Sequence, residues 1–254
     1  MSQNLLPCIK CDIALPSVIE FHTKTMKSLF NAQWILLLLS LLGTANFAYI
    51  AYLEDYISCL RMHRQYFGQL QFFTEWNVLI QLVFHAIKVS LVLSNGFFGR
   101  KMLGLRHLWS LFFEALAFPF GVNVFIVYWT VYWVNPEDID IPHSNLVNHM
   151  KHSVMVLLLL PFCVFEDFSP VDPRVSVKIT LVVISTYISW MTYLGKTYGH
   201  WTYRTFAPMN NWEQAISVVL LHMLASALNL LGQALKKLLN KNGKVPKRHI
   251  QKMI

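Results

Sequence analysis

The sequence predicts an all-α fold: an integral membrane bundle of six transmembrane helices with both termini in the cytoplasm. Three observations point there. Of 254 residues, 55% are hydrophobic and only 13% charged, well below the roughly one-quarter charge of a soluble domain. The mean hydropathy is +0.44. The apolar residues collect into six segments, each near the ~20 residues that a spanning helix needs.

Residues 1–30 mix apolar and polar side chains, with Pro7 and Pro16. They are expected to form a cytoplasmic segment in which Ser17 to Phe30 can lie as an interfacial helix. No basic n-region followed by a short apolar core opens the chain, so no cleavable signal peptide is expected. The six spans run about Gln33–Leu53, Phe72–Ser94, His107–Val134, His149–Phe168, Val175–Leu194 and Trp212–Leu235, giving a membrane domain over 31–235 and a basic tail over 236–254. The third span holds Phe118-Pro119-Phe120-Gly121 and is expected to kink there, because proline removes a helix hydrogen bond.

Orientation follows from lysine and arginine placement. The N-terminal segment, second and fourth loops and tail carry 15 of them; the first, third and fifth loops carry 4, namely Arg61, Arg64, Lys196 and Arg204. An even number of spans with cytoplasmic termini accounts for that asymmetry. The basic tail then reads as a topology determinant that touches anionic lipid, and nucleic acid is not an expected partner. The four cysteines are too few and scattered for a disulfide framework. Cys8 and Cys11 form a CxxC without the second pair a structural zinc site requires.

The same topology collects chemistry-capable residues at the non-cytoplasmic edge. Thr74 begins the second span, and Asn145–His152 is a polar mouth that opens into the fourth. On a helix His149 and His152 share a face, with Asn148 on nearly the same stripe. A threonine hydroxyl is a weak nucleophile unless a base removes its proton, and His152 stands at the right depth to do so. Thr74 equally suits a plain helix cap, and the histidines equally suit interfacial hydrogen bonding. A metal reading draws on His143, His149, His152 and His200, but one HxxH is short of the clustered boxes of membrane metalloenzymes, so no metal or other cofactor is expected. Lys88 and Glu114 fall inside spans, each about 10 Å from the cytoplasmic edge at 1.5 Å per residue. They are expected to pair, with His85 joining by hydrogen bond; a small transporter would instead use them as an ion path.

Several motifs carry a family resemblance. Phe72-Phe73-Thr74 with Asn77-Val-Leu-Ile-Gln81, Leu116-Ala117-Phe118-Pro119 with Gly121-Val122, Asn148-His149-x-x-His152-Ser153, Gly199-x-Trp201-x-Tyr203 and Leu230-Leu231-Gly232-Gln233 occur in that order. Together they resemble the androgen-induced gene 1 family (FAR-17a/AIG1-like membrane hydrolases) over about Gln71 to Gln233. Arg204 stands where the family has a proline after the tyrosine. The resemblance implies a six-span hydrolase for fatty acid esters of hydroxy fatty acids, with the nucleophile at Thr74 and the histidine at His152. Asn77, Asn148, His149, Lys151, Trp201 and Tyr203 are the supporting or substrate-facing candidates. The expected substrate is a lipid ester that arrives laterally from the bilayer of the endoplasmic reticulum or plasma membrane. A non-enzymatic regulatory or scaffold membrane protein is the alternative on the same fold.

Overall fold

A computed structural model describes residues 32–53, 70–98, 103–134, 145–166 and 168–243. All regular structure among the described residues is helical, and six helices are long and apolar enough to cross a membrane. We number them α1 (Ala32–Leu53), α2 (Phe73–Phe98), α3 (Leu103–Val134), α4 (Asn145–His152 and Val154–Phe165, divided at Ser153), α5 (Pro173–Tyr198) and α6 (Asn211–Gly243). Residues 1–31, including Cys8 and Cys11, the first loop, the acidic third loop with His143 and residues beyond Gly243 lie outside the described residues. The helix α6 runs through the boundary expected at residue 235.

Local sequence explains the ends. Asp172 caps α5 by accepting from the Arg174 N–H at 2.8 Å, and Pro173 occupies the first turn, where its missing N–H costs nothing. Gly199, at φ +67°, closes the same helix in the left-handed conformation that glycine tolerates. Asn210 and Glu213 form a capping box at α6: Asn210 Oδ1 accepts from the N–H groups of Trp212 and Glu213, and Glu213 Oε2 accepts from the Asn210 N–H.

The third helix is irregular, as its proline predicts, but the irregularity is a π-helical turn over Phe113–Ala117, just before Pro119. Pro119 offers no N–H to the carbonyls of Glu114 or Ala115. In hydrocarbon such groups must be satisfied by protein. Asn229 of α6 donates to Glu114 O at 2.9 Å, Thr180 of α5 donates to Ala115 O at 2.6 Å, and Gln81 of α2 donates to Ala117 O at 2.8 Å. All three side chains are completely buried. The proline defect is therefore where four helices are stitched together.

This turn also corrects the expected Lys88–Glu114 pair. One extra residue in a turn rotates the two halves of a helix by about 100° relative to each other, and Glu114 faces α6, where it is ion-paired with Lys236. Lys88 turns to α4 and bonds Glu166 at 2.5 Å, with Gln33 Oε1 at 3.2 Å from the same ammonium. Both lysines lie over aromatic rings, Lys88 at 5.0 Å from Trp109 and Lys236 at 5.1 Å from Phe168. Trp109 and Phe168 stack at 4.9 Å, so one aromatic layer serves both pairs. His85 joins neither. Its two ring nitrogens have no hydrogen-bond partner, and the ring packs on Phe47, Phe84 and Phe162. Gly43 of α1 permits this: a Cβ there would meet the imidazole at 2.6 Å. Within a bilayer, such close packing and interhelical hydrogen bonds replace water exclusion as the force that joins helices.

Candidate active site

The antiparallel arrangement brings the starts of α2 and α4 and the ends of α3 and α5 to one edge of the bundle. Thr74, in the first turn of α2, is half-buried; His152, at the end of the first segment of α4, is buried. Their Oγ1 and Nε2 atoms are 3.4 Å apart, at the long end for a hydrogen bond and within what ligand-free catalytic pairs show. His152 Nδ1 lies 2.9 Å from the Asn148 carbonyl oxygen. A carbonyl only accepts, so Nδ1 carries the proton and Nε2 presents its lone pair to Thr74. Tyr128 of α3 stacks on the imidazole, with centroids 3.7 Å apart and planes 14° off parallel. The ring is thus fixed in tautomer and in plane.

A second contact runs beside the first. Glu75 and Lys151 follow Thr74 and precede His152 in sequence, and they form a buried ion pair at 2.6 Å. Lys151 is therefore engaged with α2 through a carboxylate that the sequence motifs do not single out. The matched adjacency of Thr74-Glu75 and Lys151-His152 is the signal that could have revealed it. Because both charges are about 7% exposed, removing either would strand the other in a low-dielectric site. The pair holds α2 and α4 at the separation on which the Thr74–His152 contact depends.

The loop after α5 closes the edge. The Tyr203 hydroxyl accepts the Phe73 N–H at 3.2 Å, a donor that the start of α2 leaves free. Tyr187, also absent from the sequence candidates, places its hydroxyl 3.2 Å from that of Tyr203 and 3.1 Å from the Gln71 carbonyl. Burial raises the Tyr203 phenol above its ordinary pKa, so it stays protonated across the physiological range. His200 Nε2 meets Gln71 Oε1 at 2.5 Å. Trp201 packs away from the imidazole, stacked on Phe206 at 6.0 Å and seated on Gly195.

The other expected candidates take different positions. His149 is exposed, stacks on Trp129 at 5.4 Å and lies 3.5 Å from Ser153 Oγ, so it and His152 look in different directions despite their spacing. Asn148 serves His152 through its backbone oxygen, and its side-chain Nδ2 is buried without a partner. Asn77 points inward, donating to Met155 Sδ at 2.8 Å and accepting from Gln81 at 3.1 Å. Among the described residues, no three His, Cys, Asp or Glu side chains converge as metal ligands.

The family model for FAR-17a/AIG1-like proteins matches residues 35–237, a span that contains every side chain of this edge. The chain belongs to that family. Among its relatives, the human androgen-induced gene 1 protein is 28% identical over 193 residues, covering 68% of this chain and 78% of that protein. The human androgen-dependent TFPI-regulating protein is 25% identical over 171 residues, or 65% and 74% of the two chains. The golden hamster (Mesocricetus auratus) protein of that name is 22% identical over 172 residues, with the same coverage. No solved structure matches. Family membership and six apolar helices make this a multi-pass membrane protein, and the FAR-17a/AIG1-like segment includes both Thr74 and His152.

The seat of Trp201 yields a prediction for this edge. A Cβ on Gly195 would come within 2.4 Å of the indole, so Gly195→Ala must push Trp201 out and loosen the loop that carries Tyr203. We expect a loss of about 1–3 kcal/mol, the usual cost of overpacking, visible as a lower midpoint in thermal unfolding of the detergent-solubilised protein. An unchanged midpoint would show that the loop shifts freely and does not brace α2.

Proposed function

We propose that this protein is a membrane-embedded ester hydrolase that uses Thr74 as nucleophile and His152 as general base. The carrying observation is the oriented pair: a hydroxyl facing an imidazole nitrogen whose opposite nitrogen is committed to a carbonyl. His152 Nε2 takes the Thr74 proton as Oγ1 attacks the ester carbonyl, and returns it to the departing alkoxide. An acyl-threonine and a free alcohol result. Water, available at the membrane edge, then gives a proton to the same nitrogen, attacks the acyl carbon and releases the acid, restoring Thr74. Glu75 and Lys151 act as positioning residues, and Tyr128 and Tyr203 keep the base and the start of α2 in place.

The resemblance to the androgen-induced gene 1 family supports fatty acid esters of hydroxy fatty acids as substrates, delivered laterally from an endoplasmic reticulum or plasma membrane bilayer. Purified protein in detergent should hydrolyse such an ester and take up a fluorophosphonate on the peptide that contains Thr74. A label that maps elsewhere, or no turnover by intact protein, would overturn the reading.

We place the site at the non-cytoplasmic face, on the strength of the 15-to-4 charge asymmetry. The chain has no Asn-x-Ser/Thr sequon, so a sequon introduced into the third loop (residues 135–144) is expected to be glycosylated in microsomes. Modification of a sequon appended to the C-terminus instead would invert the topology.

A further inference from the structure

A second hydroxyl–imidazole pair lies outside the site. Ser185 Oγ of α5 is 2.8 Å from His222 Nε2 of α6, and His222 Nδ1 is 2.7 Å from the Val218 carbonyl. The carbonyl again fixes the tautomer, so Ser185 gives its proton to Nε2 and turns its oxygen lone pairs outward. Ser185 is exposed, on a lipid-facing surface. It sits twelve residues after Pro173 and thirteen before Tyr198, roughly 18–20 Å from either end of α5, which is the middle of the bilayer. From there a polar stripe climbs α5 at helical spacing: Ser185, Ser189, Tyr193 and Lys196, all exposed. Lys196, at the edge that holds Thr74, donates to Asn211 Oδ1 at 2.9 Å and lies 5.6 Å over Trp201.

Polar groups facing hydrocarbon at this depth are costly and mark function or a helix contact. A bond that only joined α5 to α6 would explain Ser185 and His222. It would not call for an exposed stripe that ends in a cation. The stripe fits a lipid with an anionic head at Lys196 and a hydroxyl buried about 16 Å below it, the rise of eleven helical residues. Sterol, glycerol and sphingoid hydroxyls sit at the interface and do not reach this depth. We propose that the Ser185–His222 pair binds the hydroxyl of a long-chain carboxylic acid hydroxylated at mid-chain, with Ser185 Oγ accepting the lipid hydroxyl's proton in a hydrogen bond. The site is distinct from Thr74, and its test uses a free acid, so its outcome is independent of whether Thr74 is a nucleophile.

Three octadecanoic acid probes that carry a photoreactive diazirine and a terminal alkyne are compared on the full chain in phosphatidylcholine nanodiscs. One has a mid-chain hydroxyl, one a hydroxyl beside the carboxylate and one none. The mid-chain probe should be captured on the order of fivefold better, the size of one net hydrogen bond, with adducts on α5 and α6. Ser185→Val should reduce capture to parity, while Ser185→Thr, which has the same shape and keeps the hydroxyl, should retain the preference. His222→Ala should also lose it. Equal capture of the three probes by the native chain, or a preference that survives Ser185→Val, overturns the proposal. Folding of each variant is followed by thermal unfolding, so a loss of preference counts only where the midpoint is kept, and Ser185→Thr supplies the decision where Ser185→Val unfolds.

Discussion

Thr74→Ala is expected to abolish ester turnover and fluorophosphonate labelling while the protein stays in the membrane with its fold intact. The side chain is half-buried and its one described polar contact is His152 at 3.4 Å, so truncation removes little packing. Thr74→Ser should keep partial activity: the oxygen remains, but without the β-branch its rotamer is free. His152→Ala should cost turnover by a factor of about 10² to 10⁴, the range of general-base catalysis, and remove labelling as well. His149→Ala is the control, since that ring is exposed and stacked on Trp129, and it should leave kcat within about twofold, the effect of a surface substitution. Full turnover by purified Thr74→Ala would reduce this residue to a helix cap. Equal loss in His149→Ala and His152→Ala, with sensitivity to chelators, would favour a metal centre.

The second large effect is expected on stability, at Lys88 and Glu166. Each is about 5% exposed and bonded to the other at 2.5 Å. Glu166→Leu strands an ammonium, and Lys88→Met strands a carboxylate; either should cost about 3–5 kcal/mol, while the double variant should recover most of that because neither charge remains to be solvated. Thermal unfolding of the four proteins in nanodiscs gives the cycle directly. Lys88→Met with Glu114→Leu should show no such recovery, because Glu114 belongs to Lys236. If Lys88→Met with Glu166→Leu is no more stable than the worse single variant, the pair contributes no coupling.

Thr74 and His152 can be placed together from the chain alone, because depth in a membrane is a one-dimensional quantity. Counting residues from each span's end puts both at one edge, and the family motifs single out the same two residues. Their ring and hydroxyl orientation could not be read, nor the separation of His149 from His152, since Ser153 divides α4 and the local helix period stops describing it.

By itself the sequence determined six spans and the position of the polar edge, because bilayer thickness and the cost of bare backbone in hydrocarbon leave an apolar chain few alternatives. Who pairs with whom around the bundle axis was decided only by tertiary structure. Depth brings Lys88, Glu114, Glu166 and Lys236 to one level, and the choice among them is a matter of rotation. A proline-induced π turn at Phe113–Ala117 supplies that rotation, aiming Glu114 at α6 and leaving Lys88 to α4. Spacing along a chain reports height in the membrane, whereas azimuth depends on how each helix is wound and packed against its neighbours.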